Sequence, residues 1–237
     1  MRLRIADCGL RFGGLLALLL LPRGAVAQVG HDPERSPYHD LRAKQSASII
    51  GGFVRGQRGH PGVAPGEGPI VGIRYDRQVG TAADIIIAIS GARLDRYDII
   101  SSLPEATRKS GPFTENLLFM ETGVSLILTW RKSWHGFVPY VGAMLGVVFE
   151  TGLSLNEFQF GTRGHVAPHI GFKWFPVQAL AFKVEAGDII WRVRYPDNWF
   201  VAQAANVPAV LTVNTDQSAE WLHHPTVTLS LGYTFTF

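Results

Sequence analysis

Short runs of alternating apolar and polar residues dominate the chain from Ser46 onward. Alternation with a period of two is typical of β-strands that have one apolar and one polar face. We count eight such runs, with approximate bounds Ser46–Arg58, Ile70–Arg77, Ala83–Leu94, Phe113–Trp130, Phe137–Glu150, Arg163–Phe175, Ala179–Arg192 and Thr226–Phe237. The pattern predicts an all-β domain over residues 46–237. Ten strands are the alternative, if a hairpin near Val207–Val213 adds two.

The connections between these runs alternate in length. The long ones are Gly59–Pro69, Asp95–Pro112, Thr151–Thr162 and Val193–Pro225, and the short ones are Gln78–Ala82, Arg131–Gly136 and Pro176–Gln178. Outer-membrane barrels have short periplasmic turns and longer outer loops. We therefore predict a transmembrane antiparallel up-and-down β-barrel of eight strands, with both chain ends on the periplasmic side.

The expected inward faces of the runs carry a nearly balanced set of charges. Its members are Arg74, Asp76, Asp84, Glu121, Glu150, Arg163, His165, His169, Lys173, Lys183 and Glu185. Buried charges persist when they are paired, and the lumen of eight strands is narrow enough for side chains to fill. We expect Asp76, Glu150 and Arg163, near strand ends, to reach water. Pro168 lacks an amide donor, so we expect a bulge or a late strand start there.

The first 27 residues have the features of a cleaved signal peptide. Three arginines precede an apolar run, Phe12–Leu21, and Ala25-Val26-Ala27 supplies the small residues of a cleavage site. Ten apolar residues are too few for a spanning helix, which needs about twenty; an uncleaved anchor is the alternative. Residues 28–45 are polar and without periodicity, and we interpret them as a periplasmic lead-in.

Removal of the signal peptide also removes the excess of positive charge. It takes four arginines and one aspartate, so 22 basic and 19 acidic residues become 18 and 18. A neutral mature chain gives no indication of a nucleic-acid partner. The single cysteine, Cys8, leaves with the signal peptide, which excludes disulfides and thiolate chemistry in the mature protein.

The end of the chain, Leu229-Ser230-Leu231-Gly232-Tyr233-Thr234-Phe235-Thr236-Phe237, resembles the C-terminal assembly signal of bacterial outer-membrane barrels. With the signal peptide and the strand pattern, the chain is similar to the small outer-membrane β-barrel superfamily of the OmpA transmembrane domain and OmpX. The resemblance covers residues 46–237 and implies an outer-membrane location. It also implies recognition of Phe237 by the barrel assembly machinery and contact of the barrel with outer-membrane lipid.

A search for catalytic and metal-binding motifs gives no site. A serine-hydrolase elbow reads G-x-S-x-G, and the segments Gly123–Ile127 and Gly152–Asn156 both lack the final glycine. His165 and His169 lie four residues apart on one strand face, about 13 Å, too far to share one metal ion. We therefore assign no catalytic, cofactor-binding or metal-binding residue.

Three groups near the expected outer rim have no assigned chemistry. We interpret His223-His224 as a solvated pair and Asp188 as an ion-pair partner at the rim. The aromatic residues Trp199, Phe200 and Trp221 are consistent with a membrane girdle, a loop core or binding anchors.

The favoured hypothesis is a structural or surface-interaction protein without an open pore. If it binds an extracellular ligand, we expect specificity in the loop Val193–Pro225; the alternative is that this loop folds over the rim and seals the lumen. A connection of this length in a compact domain usually carries function. The alternatives are a membrane-embedded enzyme acting on lipid or lipopolysaccharide, and a small-solute channel. A soluble lipocalin-like barrel would need an apolar lumen, which the inward charges oppose.

Overall fold

The computed structural model of the protein describes residues 37–41, 44–130, 132–152, 156–212 and 216–235. The expected signal peptide, most of the lead-in and Phe237 lie outside the described residues. Residues from Tyr38 onward form one compact unit.

Within the described residues the chain forms ten β-strands and one short 3₁₀ turn, Asp197–Phe200. The strands are β1 (Tyr38–Asp40), β2 (Gln45–Arg55), β3 (Glu67–Val79), β4 (Ala83–Ile99), β5 (Lys109–Ile127), β6 (Lys132–Trp134), β7 (Phe137–Glu150), β8 (Thr162–Val177), β9 (Leu180–Arg194) and β10 (Ala219–Phe235). β7 has the bounds predicted from the alternation.

Eight of these strands close into an antiparallel barrel, in the order β2-β3-β4-β5-β7-β8-β9-β10. The last strand completes the circle, since Leu229 pairs with Val184 of β9 on one side and with Gly51 of β2 on the other. The predicted all-β, eight-stranded up-and-down barrel is confirmed. Short connections lie at one end of the barrel, and the longer loops 56–66, 100–108, 151–161 and 195–218 lie at the other.

The two remaining strands are β1 and β6, which pair beside the short turns. They do not come from a hairpin near Val207–Val213, because the described part of that loop has only an isolated bridge between Ala204 and Val207. β1 lies in the segment without periodicity that we interpreted as a periplasmic lead-in. Three residues are too few to show a period, so the sequence could not reveal this strand.

The outward face of the barrel is uncharged over a continuous band. We call it the apolar band; it comprises the outward residues of segments 47–53, 69–75, 85–91, 118–128, 137–147, 166–174, 180–186 and 227–233. Leu145 is 63% exposed, whereas Val148, on the opposite face of the same strand, is fully buried. A closed barrel that is apolar outside and polar inside leaves no edge unpaired in lipid, which is how β-sheets span a membrane.

Pro168 does not produce the expected bulge. β8 begins at Thr162, and the pairs Val166–Ile190 and His169–Gly187 on either side of the proline hold one register with β9. Pro168 pairs with Ala143 of β7, so the missing donor affects only the β9 side. The irregularity lies instead at the turn, between Trp174 and Val177.

Candidate functional site

The lower half of the lumen, toward the short turns, is filled by an ion-pair cluster centred on Asp76. The carboxylate accepts hydrogen bonds from Lys183 and from Nε of Arg74, the latter at 3.0 Å. Lys173 lies 3.8 Å from Asp76 and bonds Asp84 at 2.5 Å. Asp76 is only 2% exposed, so the expectation that it reaches water is wrong. The ladder of β3 with β2 continues past Asp76 to Arg77, which keeps this side chain inside the barrel.

A second cluster stands above the first and shares Arg74 with it. Nη1 of Arg74 donates to Oε2 of Glu185 at 2.7 Å, and the hydroxyl of Tyr140 donates to the same oxygen at 2.9 Å. Higher in the lumen, Nε2 of His165 lies 2.9 Å from Oε1 of Glu121. Apart from Glu150 and Arg163, the predicted inward set is therefore brought together as paired groups, the condition for keeping charges buried.

Glu150 and Arg163, which we expected in water, are partly buried at the outer end of the lumen. Oε2 of Glu150 accepts the amide of Gly161 at 2.7 Å, and Nε of Arg163 donates to the carbonyl of Phe160 at 2.8 Å. Both expectations need correction, because loop backbone covers these side chains and takes the place of solvent.

The structure also brings together a serine and a histidine that the motif search did not connect. Oγ of Ser125 lies 2.9 Å from Nε2 of His169. A catalytic triad would need an acid on the other ring nitrogen, but Nδ1 of His169 lies 3.3 Å from the carbonyl of Ala167, and Glu185 is 3.9 Å from Nε2. Ser125 is fully buried, so a substrate has no access to its hydroxyl. The pair satisfies two buried polar groups.

The free space in the lumen is small. A cavity of about 40 Å³ lies between the cluster at Glu185 and the contact of Glu121 with His165. Its lining includes Ser90, Glu121, Met144, His169 and Glu185. Another of about 30 Å³ lies at the short-turn end, beside Lys44, Asp76, Asp84 and Lys173. Cavities of this size hold a few water molecules.

The longer loops pack together over the other end of the barrel, and we call this packed region the outer cap. It comprises the described residues of loops 56–66, 100–108, 151–161 and 195–218. Its core is built around Trp199, which is fully buried and has ring contacts with Phe158 and Tyr195 at 6.1 and 6.0 Å. Phe200 packs against this core. Trp199 and Phe200 therefore belong to a loop core, whereas Trp221 is 59% exposed on the outward face of β10.

Glu157 joins three loops of the cap. It accepts hydrogen bonds from the amide of Ser101 and the indole nitrogen of Trp199, both at 2.9 Å, and from the side chain of Asn198 at 3.2 Å. Burial disfavours the charged form, but the bonds from Ser101 and Trp199 outweigh it and hold the pKa of Glu157 below its usual value.

Glu220 makes a similar connection between the first and last outer loops. Its Oε1 accepts the amide of His60 at 2.7 Å and the hydroxyl of Tyr195. His60 also meets Asp216, at 3.0 Å. The long last loop is therefore tied to its neighbours by side-chain bonds as well as by its apolar core.

A buried guanidinium lies at the junction of barrel and cap, beyond the apolar band. Arg96 contacts Asp98 at 2.8 Å and Glu115 at 3.0 Å. Burial raises the pKa of Glu115 to about 7; Arg96 opposes the rise and the neighbouring carboxyl of Glu150 adds to it. One arginine does not compensate the acids around it, so the carboxyl of Glu115 retains a proton near neutral pH.

The adjacent histidines at the rim differ in environment. Nδ1 of His223 lies 2.6 Å from Oδ2 of Asp188, so the partner of this rim aspartate is a histidine and not one of the nearby arginines. His224 is fully buried, so the interpretation of a solvated pair is wrong for it. Burial lowers the pKa of His224 to about 4, and its neutral ring donates from Nε2 to the carbonyl of Pro65 at 2.9 Å. Neighbours in a strand point to opposite faces, which separates the two rings.

No group of three His, Cys, Asp or Glu side chains among the described residues is arranged to hold a metal ion. No helix in the same part of the chain is long and apolar enough to cross a membrane.

A closed barrel with paired charges in its lumen and an apolar band on its outer face is suited to a lipid bilayer and not to water. The chain is a transmembrane β-barrel of the bacterial outer membrane. This conclusion rests on the barrel itself. An apolar outer face and a polar interior characterise the up-and-down barrels that span that membrane.

Comparisons with known proteins agree with the fold. No protein-family model matches the chain, and no curated protein matches it. Among solved structures, it is similar to Ail, the attachment invasion locus protein of Yersinia pestis, with 12% identity, 81% of this chain and 99% of that chain covered, and a TM-score of 0.40.

Two further structures are similar at the same level. For the N-terminal β-barrel domain of Pseudomonas aeruginosa OprF, the identity is 10%, the coverage 82% of this chain and 100% of that chain, and the TM-score 0.43. For Neisserial surface protein A, the identity is 11%, the coverage 81% of this chain and 97% of that chain, and the TM-score 0.44. At such identities the likeness concerns the fold alone.

Proposed function

We propose that this outer-membrane barrel has a structural or surface-interaction role and no open pore. The observation that supports the proposal is the filling of the lumen: Asp76, Lys183, Arg74 and Glu185 link into one chain of ion pairs, and the outer cap covers one mouth. A barrel of eight strands leaves an interior that side chains fill. Ions crossing it would have to separate buried pairs, which is costly.

The test is conductance of the purified, refolded barrel in planar lipid bilayers. We expect no steady conductance from a folded monomer, whereas a channel-forming barrel with more strands, reconstituted in the same way, conducts. Stable unitary currents that follow the amount of heat-modifiable, folded monomer would contradict the proposal and favour the small-solute channel.

For the surface interaction, we propose that specificity lies at the tip of the last loop within Val193–Pro225. Residues 201–206 are exposed, whereas Val207 and Leu211, which follow, are buried in the cap. The tip is held in place, because the side chain of Gln203 donates to the carbonyl of Asn198 at 3.0 Å. A projecting, anchored tip is available to an extracellular partner without opening the cap.

Replacement of residues 202–205 by glycine and serine tests this assignment while Trp199 and Leu211 remain. The variant should assemble and keep its heat-shifted gel mobility, but lose the surface ligands that crosslinking on intact cells identifies for the wild type. The same replacement at exposed residues 104–106 of another loop is the matched control. If the tip variant keeps every ligand, the interaction lies elsewhere on the surface.

A further inference from the structure

The outward face just beyond the apolar band differs from one side of the barrel to the other. On β9 it carries Arg192 and Arg194, and on β10 Trp221 and His223, all of which are exposed. We call these four residues the β9–β10 patch. The corresponding outward positions of β5, β7 and β8 are uncharged: Thr114, Asn116, Thr151, Thr162 and Gly164. This side of the rim therefore carries more positive charge than the side formed by β5, β7 and β8.

Other arginines near the rim have partners. Arg58 pairs with Asp95 at 2.5 Å, and Arg55 stands opposite Glu67 in the β2–β3 ladder. On β4, Nε of Arg93 donates to Asn116 at 3.3 Å. Of these three arginines, Arg58 is in an ion pair, whereas the partner of Arg93 is a neutral amide that leaves its charge uncompensated.

The two arginines of the β9–β10 patch are not compensated in this way. Among the described residues, Arg192 has no ion-pair or hydrogen-bond partner for its guanidinium. Arg194 approaches Asp197 only at 4.0 Å, and the two side chains are 69% and 88% exposed. An exposed pair at that distance contributes little. The patch therefore presents two guanidinium groups free to bind an external anion.

The patch is shaped for a ligand at the membrane surface. Arg192 pairs with Trp221 across the β9–β10 ladder, and Arg194 lies two residues further along the same face, about 7 Å away. Both arginines lie beyond Ala186, where the apolar band ends at the long-loop side. Guanidinium groups bind phosphate with two parallel hydrogen bonds, and tryptophan favours the level of lipid headgroups.

We propose that the β9–β10 patch binds the phosphate-bearing headgroup of an outer-leaflet lipid. Arg192 and Arg194 contact the phosphate, and the Trp221 ring lies against the adjoining part of the lipid. The pair Asp188–His223 marks the lower edge of the site, where the apolar band begins. The binding would fix the rotational position of the barrel relative to its lipid neighbours.

The test uses the purified barrel in neutral maltoside micelles, with phosphatidic acid as the probe. Phosphatidylcholine is the reference, because its choline group offsets the phosphate charge and its zwitterionic headgroup has no net charge. Native mass spectrometry counts the lipids retained. We expect phosphatidic acid to be retained in preference, and its apparent Kd to weaken roughly fivefold for each arginine replaced in R192Q and R194Q. The double variant R192K/R194K should keep most of the preference, which separates charge from folding defects.

The matched control is R77Q, which removes an exposed outward arginine at the opposite end of the barrel, and its Kd should stay within about twofold of the wild type. Each variant is first shown to be folded by its heat-shifted mobility. The proposal would be overturned if R192Q/R194Q retained phosphatidic acid as the wild type does. It would also be overturned if R77Q lost as much affinity for this lipid as the patch variants. Inorganic phosphate at the same concentration should not displace the lipid; if it does so completely, the patch is a site for soluble phosphate and not for a headgroup.

Discussion

The carboxylate of Glu157 accepts a hydrogen bond from the indole nitrogen of Trp199 at 2.9 Å, and this contact joins two outer loops that are distant in sequence. The same carboxylate holds the amide of Ser101 in a third loop. One acidic side chain therefore links the last loop to two other loops over the lumen.

Replacement of Glu157 by alanine should loosen the cap and leave the barrel intact. Hydrogen bonds to a charged acceptor contribute about 1.5–3 kcal/mol each, so we expect a loss of roughly that size in the local stability of loop 195–212. Hydrogen exchange of the loop amides measures it. Glu105→Ala, at an exposed position of a neighbouring loop, is the control. Unchanged exchange at Trp199 in the Glu157 variant would show that apolar packing alone holds the cap.

The stability of the cap should also fall as the pH rises from about 4.5 to about 7. Glu115 has a pKa of about 7 in the folded protein, above its ordinary value, so the folded state binds the proton more tightly than the unfolded state does. Ionisation of the carboxyl then opposes folding, by at most about 1.4 kcal/mol per pH unit across this window. Hydrogen exchange in the cap at several pH values measures the slope.

Glu115→Gln should remove that slope, because the amide resembles the protonated carboxyl. Glu157 has the opposite effect on the pH dependence of cap stability, because its pKa is lowered in the folded protein. Its stabilising contribution is lost as the pH falls below the ordinary pKa of a glutamate. A slope that persists in Glu115→Gln would assign the titration to another group.

Asp76→Asn should destabilise the whole barrel. The substitution leaves Lys183, Lys173 and Arg74 with too little negative charge in a buried lumen, and breaking such a cluster costs about 3–5 kcal/mol. Urea unfolding in lipid vesicles, followed by loss of the heat-shifted band, measures the change. Asp197→Asn removes the same charge from an exposed loop and should change stability by less than about 0.5 kcal/mol. Equal midpoints for the two variants would show that the ion-pair cluster contributes no net stability.

Deletion of Phe237 should lower the amount of assembled barrel far more than Thr236→Ser does. In the sequence, Phe237 continues the alternating apolar row of Leu229, Leu231, Tyr233 and Phe235, whereas Thr236 does not; we propose that the barrel assembly machinery recognises this row. Heat-shifted protein in outer-membrane fractions gives the comparison. Intact mass of the same material checks the proposed mature start at Gln28. Equal effects of the two variants would remove the basis for the assembly signal.

Alternation along the sequence was sufficient to predict the eight barrel strands, because each strand has one face in lipid and one in the lumen. It also predicted most of the charges that face inward, since that depends on parity, but it missed Glu115, Arg96 and Asp98 near the outer end. It could not show which charges meet. The contact of Ser125 with His169 depends on the registers of β5, β7 and β8, which are set by pairing between strands.

The outer cap was the part least accessible to prediction. The apolar residues of the last loop indicated that it packs on something, but the contacts of Trp199 come from Phe158 and Glu157, in another loop. Such contacts leave no periodic trace in the sequence. The burial of His224 was missed for a related reason, because it depends on Pro65, far away in the first outer loop.

The pairing of β10 with β2 determines when the barrel can close. Gly51 and Leu229 belong to the first and last barrel strands. The two strands that are farthest apart in the sequence therefore form the seam of the cylinder. Until β10 arrives, β2 has one unpaired edge, and open strand edges invite pairing with other chains. Contacts so distant along a chain form slowly. The edge of β2 therefore stays open to other chains until β10 docks.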